Sequence, residues 1–361
     1  MLFRLESRGN RSEFWTYASP VLAIVLTILT MGVIFGVMGA PPLASVETFL
    51  ISPLLTASGL SALAVRAAPL IMIGIGLAFC YRANVWNIGG DGQFTLGALA
   101  GGGLALAFPN EAFWWFYPLV LVAGIAGGMA WAGIVAFLKL RFNANEILTS
   151  LMLVYTAQLM LVWLVTGPWR DPQGFGFPQS AQFGADATTP DFGTTSIHLG
   201  CLLAPLLALA IWQIMTRTVL GFQLRVVGQA PRAARYAGFS NATLTWVALL
   251  VSGGLSGLAG IIEVTGPIGQ LTTGITPGYG FTAVIVAFLG RLHPVGIIFA
   301  GLLLALSYLG GDAAQISLNL PNAITGIFQG VLLFYLLGAD VLILYRLRRT
   351  RHMPSTTEPA A

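Results

Sequence analysis

Long apolar runs recur along this chain from Pro20 to the region of Ile343, separated by short polar breaks. Each run is close to the roughly 20 residues that an α-helix needs to cross a bilayer core. The pattern predicts helices at about 19 to 39, 63 to 82, 94 to 108, 116 to 138, 146 to 166, 198 to 216, 243 to 262, 281 to 291, 295 to 309 and 323 to 343. The eighth is too short to span alone. Either it begins earlier, near Gly274, or it is a half-helix followed by a break at Pro294. The first run is too long for a signal-peptide core and no small-residue cleavage site follows it, so it is expected to remain as the first spanning helix. The reading is an all-α membrane protein, a polytopic bundle of about ten transmembrane helices. Residues 1–18 form an N-terminal segment, 19–343 the transmembrane domain and 344–361 a basic tail.

Composition agrees with that picture. Of 361 residues, 56% are hydrophobic and only 8% charged, where an ordinary soluble domain has about a quarter charged. Charge also assigns an orientation. Ten crossings put both termini on one side, and basic residues collect in cytoplasmic loops. With the N-terminus cytoplasmic, the inside receives Arg4, Arg8, Arg11, Arg82, Lys139, Arg141, Arg217, Arg225, Arg232, Arg235, Arg291, Arg346, Arg348, Arg349 and Arg351, which is 15 of the 17 basic residues. Only Arg66 and Arg170 fall outside, so both termini are expected to be cytoplasmic. The basic residues sit at the ends of apolar runs rather than in a stripe with interleaved aromatics, which argues against a nucleic-acid partner.

Several chemistries are excluded. Lys139 is the only lysine, so no Gly-rich loop ending in Gly-Lys-Ser/Thr can cradle a nucleotide phosphate, and P-loop ATP hydrolysis is ruled out for this chain. No His, Cys or carboxylate cluster has metal spacing. Cys80 and Cys201 read as small core residues, His198 and His293 as residues at helix ends, and His352 as part of the tail. The segment at about 167 to 197 is too short to fold alone, so any external solute receptor is expected to be another protein. The spacings Gly124/Gly128 and Gly253/Gly257 suit close helix packing. The run GGLSGLAG at 253 to 260 is read as a helix face, since no strand precedes it.

Two segments look like neither plain helix nor plain loop. Residues 83 to 102 place Asn87, Gly89, Gly90, Asp91, Gly92 and Gln93 between apolar runs. One reading is a broken helix at depth, tolerated only where freed backbone faces protein or a water-filled cavity, and a mark of a transporter's solute path. The other is a tight cytoplasmic turn with Asp91 and Gln93 capping the third helix. The second segment is the connection at 217–242. Within it Pro231 stands where helices start and Gly238 where they stop, and a helix this short persists only when docked. Arg232 and Arg235 alternate there with Ala233, Ala234, Tyr236 and Phe239, and Ala233, Ala234 and Tyr236 offer a small surface that can enter a groove.

The pair NIGGDGQ and LRVVGQAPRAARYAGF resembles the branched-chain amino acid, ribose and nucleoside class of ABC importer permeases. The Asn-Ile-Gly-x-x-Gly-Gln form is similar to its nucleoside and simple-sugar group, served by basic-membrane-protein-type lipoprotein receptors. The resemblance runs from the first helix to about Arg349, and the length resembles the longer of the two permeases such systems encode. It implies a non-catalytic subunit with pseudo-symmetric core halves in a bacterial cytoplasmic (inner) membrane. The partners it implies are a second permease, an external lipoprotein or periplasmic receptor, and cytoplasmic ATPases that use the ATP and Mg. On that analogy Pro231, Arg232, Ala233, Ala234, Arg235, Tyr236 and Gly238 form the coupling helix, and Asn87, Gly89, Gly90, Asp91 and Gln93 a solute path or gate. An ion-coupled secondary transporter is the alternative. It would need intramembrane relays, and Asp91, Glu146 and Glu263 each lie near a predicted helix end, where a carboxylate costs little.

Overall fold

A computed structural model describes residues 3–7, 12–109, 113–190 and 197–349. In chain order its elements are β1 (Phe3–Ser7), α1 (Glu13–Val37), α2 (Pro42–Leu50), α3 (Ala57–Arg82), α4 (Gly90–Ala107), α5 (Phe116–Phe142) and α6 (Glu146–Thr166). They continue with α7 (Leu199–Arg217), α8 (Val219–Gln229), α9 (Pro231–Tyr236), α10 (Asn241–Glu263), α11 (Tyr279–Leu289), α12 (Pro294–Leu318), α13 (Ala323–Leu344) and β2 (Tyr345–Arg349). Among the described residues eight helices are long and apolar enough to cross a membrane. The all-α polytopic reading stands, with α4 and α11 supplying the two further predicted segments.

Contacts divide the chain into two units, Met1–Glu47 with Leu318–Ala361, and Thr48–Ser317. In the first, Ser12 caps α1, its hydroxyl accepting from Trp15 N–H at 3.4 Å. The start of α1 lies at the end of α13. Ser12 N–H donates to Ile343 O at 3.2 Å, and Ser19 Oγ donates to Asp340 Oδ1 at 2.9 Å. Beyond the helices β1 pairs antiparallel with β2, from Phe3 opposite Arg349 to Ser7 opposite Tyr345. Sequence reading has no strands here and starts the first helix near residue 19. The capped helix instead begins at Glu13.

The second unit is built around α3 and α10, the most enclosed of the long helices. The outer helices turn large apolar side chains outward and small ones inward. In α6, Ser150, Val154 and Ala157 are buried while Met152, Leu159 and Trp163 are exposed, the arrangement expected where lipid removes any hydrophobic drive between helices. At the centre α4, α5 and α10 meet backbone to backbone. A Cβ added at Gly97 would overlap Gly257, and one at Gly128 would overlap Gly253 O. The Gly124/Gly128 and Gly253/Gly257 spacings are therefore a packing seam, and 253 to 260 is a helix face.

Other boundaries move for local reasons. The predicted ninth helix runs on to Leu318 through Asp312, whose carboxylate accepts from Arg66 Nη2 at 2.6 Å. The eighth is the half-helix α11. The break after it precedes Pro294, which opens α12, a position where the fixed φ of proline suits a helix start. The 217–242 connection holds two helices, since α8 packs through Gly221, Leu224 and Val227.

Candidate functional site

α3 ends at Arg82, and the chain folds back through residues 83–89 before α4 starts at Gly90. The neighbours of this return fix its level. A Cβ on Gly90 would meet Ile73 Cγ2 at 3.0 Å, and Ile73 lies nine residues, roughly 13 Å, along α3 from Arg82. Asn87 Nδ2 donates to the hydroxyl of Ser252, the middle residue of α10, at 3.0 Å. Asp91 accepts from Gln158 Nε2 at 3.3 Å, and Gly92 packs on Val154, both near the middle of α6. The segment is a break level with the helix midpoints, not a turn at the helix ends.

Its polar groups are satisfied by protein. Asn87 and Gln93 form a reciprocal amide pair at 3.0 and 3.1 Å. Asn87 Oδ1 also accepts from Gly89 N–H at 2.9 Å, Ile88 N–H donates to Ser150 Oγ at 3.2 Å, and Tyr81 OH donates to Asn87 O at 3.0 Å. Asn87, Asp91 and Gln93 are all essentially without solvent exposure. These contacts close the return into a clamp and leave Asp91 pointing at another helix.

That helix is α11. Thr276 Oγ1 accepts from Gly278 and Tyr279 N–H at 3.0 and 3.1 Å. Asp91 Oδ1 accepts from Gly280 N–H at 2.8 Å and from the Thr276 hydroxyl at 2.9 Å. Asp91 therefore lies in the first turn of α4 while capping the first turn of α11. The positive ends of both half-helices converge on one carboxylate, a favourable place for negative charge. Beyond this point α4 and α11 diverge. Gly102 of α4 packs on Leu271, whereas Leu292, just past α11, accepts from Arg82 Nη2 at 3.1 Å. The order α3, return, α4 is repeated in the opposite sense by α10, return, α11. At the turn after α11, burial and the Arg82 guanidinium hold the His293 imidazole below its usual range.

The second candidate segment stands apart from this centre. α9 starts at Pro231 and ends under Gly238, at φ 79°, with Phe239 N–H donating to Ala234 O at 2.9 Å. Arg232, Arg235 and Tyr236 are exposed and line a shallow concavity, with Ala233 beside them, also exposed. Ala234 is completely buried, because it faces back into the chain where α9 packs on α8 and α10. It does not belong to the outward surface on which the sequence reading counted it. Just before α9, Gly228 of α8 lies against Arg82 O, so the pair α8–α9 rests on the residue that opens the break.

Residues 59–337 match the family described as branched-chain amino acid transport system / permease component. The chain belongs to that family. The glucose ABC transporter permease protein TsgB13 of Haloferax volcanii is 33% identical over 356 residues, 95% of this chain and 93% of the relative. The guanosine ABC transporter permease protein NupP of Bacillus subtilis is 30% identical over 273 residues, 75% of this chain and 78% of the relative. The nucleoside ABC transporter permease protein NupB of Lactococcus lactis is 25% identical, covering 88% and 89%. The permease is thus a multi-pass, non-catalytic subunit of an ABC importer for small polar solutes, a class whose members work with an ATPase, a binding protein and a second permease.

Membership sets aside the ion-coupled alternative, and the structure corrects one premise used in weighing it. Asp91 and Glu263 are 1% and 8% exposed. They do lie at helix ends, but those ends are inside the bundle. Glu146 is the different case, at the start of α6 in an ion pair with Lys139. Sequence reasoning also missed the permease's partners for the break, Ser150, Gln158, Ser252, Thr276 and Gly280. Only Thr276 carries a local signal, a hydroxyl residue three positions before Tyr279 and its apolar run, two residues ahead of the N-cap Gly278.

Proposed function

We propose that this permease imports neutral, polyhydroxylated solutes, nucleosides first and simple sugars next. An external lipoprotein or periplasmic receptor delivers them, and transport crosses a bacterial cytoplasmic membrane. The observation that carries the solute class is chemical. Glucose, guanosine, nucleosides and riboflavin, the solutes in the relatives' names, are all uncharged and rich in hydroxyl groups. The order within that class rests on the NIGGDGQ form at 87–93. Both termini and the α8–α9 connection face the cytoplasm in this reading, which the distribution of arginines supports. α9 is the coupling helix, with Arg232, Arg235 and Tyr236 toward acidic and apolar groups of the ATPase, whose ATP and Mg supply the energy. Residues 87–93 act as a gate. Their side chains are bonded to protein in this state, and a change of access requires the Asp91 bonds to Gly280 and Thr276 to exchange.

Reconstitution with the ATPase, the partner permease and the receptor tests this reading, using guanosine, uridine, glucose and ribose as solutes. ATP-dependent uptake of a nucleoside is expected, with no ATP hydrolysis by this chain alone. Uptake driven by a proton or sodium gradient without ATP would refute the importer reading, and uptake of sugars alone would reverse the order of solutes.

A further inference from the structure

Between α10 and α11, residues 264–278 leave regular α-helix inside the protein, and backbone groups freed in that way need new partners. The segment between α6 and α7 supplies them. Ser180 N–H donates to Leu271 O at 2.8 Å, Phe183 N–H to Gly269 O at 3.0 Å and Thr189 N–H to Thr265 O at 2.8 Å. In return Leu271 N–H donates to Ser180 Oγ at 2.9 Å, and Gln179 stands opposite Thr272 in an antiparallel bridge. A hydroxyl chain closes the far end. Tyr117 OH donates to Thr189 Oγ1 at 2.8 Å, Thr189 Oγ1 lies 2.8 Å from Thr265 Oγ1, and Thr265 Oγ1 donates to Ile261 O at 2.7 Å. Ser180, Leu271 and Thr265 are all buried. Residues 179–189 are therefore half of a ladder rather than a spacer. The other half leads within a few residues to Thr276 and Gly280, the two groups Asp91 holds.

We propose that residues 179–189 are a positioning strap for the transport cycle, moving with 265–272 as one body and setting where α11 stands against Asp91. The strap gives an outer partner a bonded route to the break, and this rests on the reading as a receptor-fed importer. Ser180, Thr189 and Thr265 are positioning residues, acting through Thr276 and Gly280.

The test uses the reconstituted complex and measures ATP hydrolysis against concentration of receptor loaded with guanosine or glucose, whichever it retains. If the parental complex shows no receptor stimulation, the importer reading itself fails. Given stimulation, Ser180→Ala with Thr265→Val should lower the maximal stimulated rate several-fold while leaving the half-saturating receptor concentration and the unstimulated rate unchanged. Restoring the hydroxyl with Thr265→Ser should recover most of the loss. The second arm pairs Gln179→Cys with Thr272→Cys in a chain lacking Cys80 and Cys201. Because the two segments move together, the cross-linked protein should transport at the parental rate. Parental stimulation in the Ser180→Ala/Thr265→Val variant overturns the proposal, as does loss of transport on cross-linking that a reductant reverses. If the hydroxyl variant does not reach the membrane, the cross-linking arm decides alone.

Discussion

The two returns that start the half-helices do the same job by different means. Residues 83–89 are few, and an amide pair between Asn87 and Gln93 holds them within one short stretch of chain. Residues 264–278 are twice as many and take their partners from residues 180–189, some 80 positions away in sequence. The first return carries its own clamp, so its shape depends on local sequence and two hydroxyls, those of Ser150 and Ser252. The second is shaped by what lies beside it. At Asp91 the helix that follows the first return caps the helix that follows the second.

Gly280→Val breaks the comparison outright. A Cβ there would overlap the backbone of Asp91, and overpacking against backbone costs upward of about 3 kcal/mol. Immunoblots of membranes should show the variant nearly absent. Gly90→Ala, whose Cβ would press on the Ile73 Cγ2 methyl at 3.0 Å and touch the Gly280 backbone only at the ordinary contact distance of 3.6 Å, should accumulate to a higher level than Gly280→Val. Asp91→Asn comes next. It keeps the shape and removes the charge shared by both half-helix ends, worth about 1 kcal/mol in stability. A gate predicts at least about a tenfold loss of solute uptake at normal membrane level, roughly 1.4 kcal/mol on the barrier. Normal uptake by Asp91→Asn and by Gln93→Ala would remove the gate from consideration.

Away from the break, Arg232→Glu with Arg235→Glu reverses two exposed charges, so the permease should accumulate normally and lose co-purification with the ATPase. Normal assembly and transport would show that α9 is not the coupling helix. Ala234→Glu is unsuitable for this purpose, since it forces a charge into a buried site and damages the α8–α9 pair itself. The smallest effect belongs to the local clamp. Gln93→Ala removes both bonds of the amide pair but leaves Asn87 Nδ2 its bond to Ser252 and Oδ1 its bond from Gly89 N–H, a loss of about 1–2 kcal/mol seen as a fall of about 2–6 °C in melting in detergent.

Legibility in the sequence follows the same division. Spanning helices are written in runs of apolar residues, so all eight could be located, although α1 and α3 begin about six residues before, and α12 ends about nine residues after, the bounds their apolar runs suggest. The glycines and amides of 87–93 announce a break because cause and effect lie within one stretch. Its depth was not legible, since it is set by Ile73, Ser252 and Gln158 on three other helices. The strap was hidden for the same reason. Its three bonds from Ser180, Phe183 and Thr189 N–H run backbone to backbone, and a backbone group leaves no mark on residue type. Pro231 and Gly238 bracket α9 visibly, yet whether Ala234 faced outward depended on α8, whose buried face is only Gly221, Leu224 and Val227, with Arg225 exposed beside it. That arginine reaches Met215 O at 3.4 Å.

The glycine seam among α4, α5 and α10 has a consequence in genetics. Any single-base change in a glycine codon that replaces the residue gives a larger one. At Gly97, Gly128, Gly257 and Gly260 even one added carbon would overlap the backbone of a facing helix. No stepwise route leads from these codons through a working intermediate unless the facing helix shifts first. Saturation mutagenesis of the gene should therefore return only glycine codons at these four positions among functional clones, while neighbouring lipid-facing positions drift freely among Leu, Ile, Val and Phe.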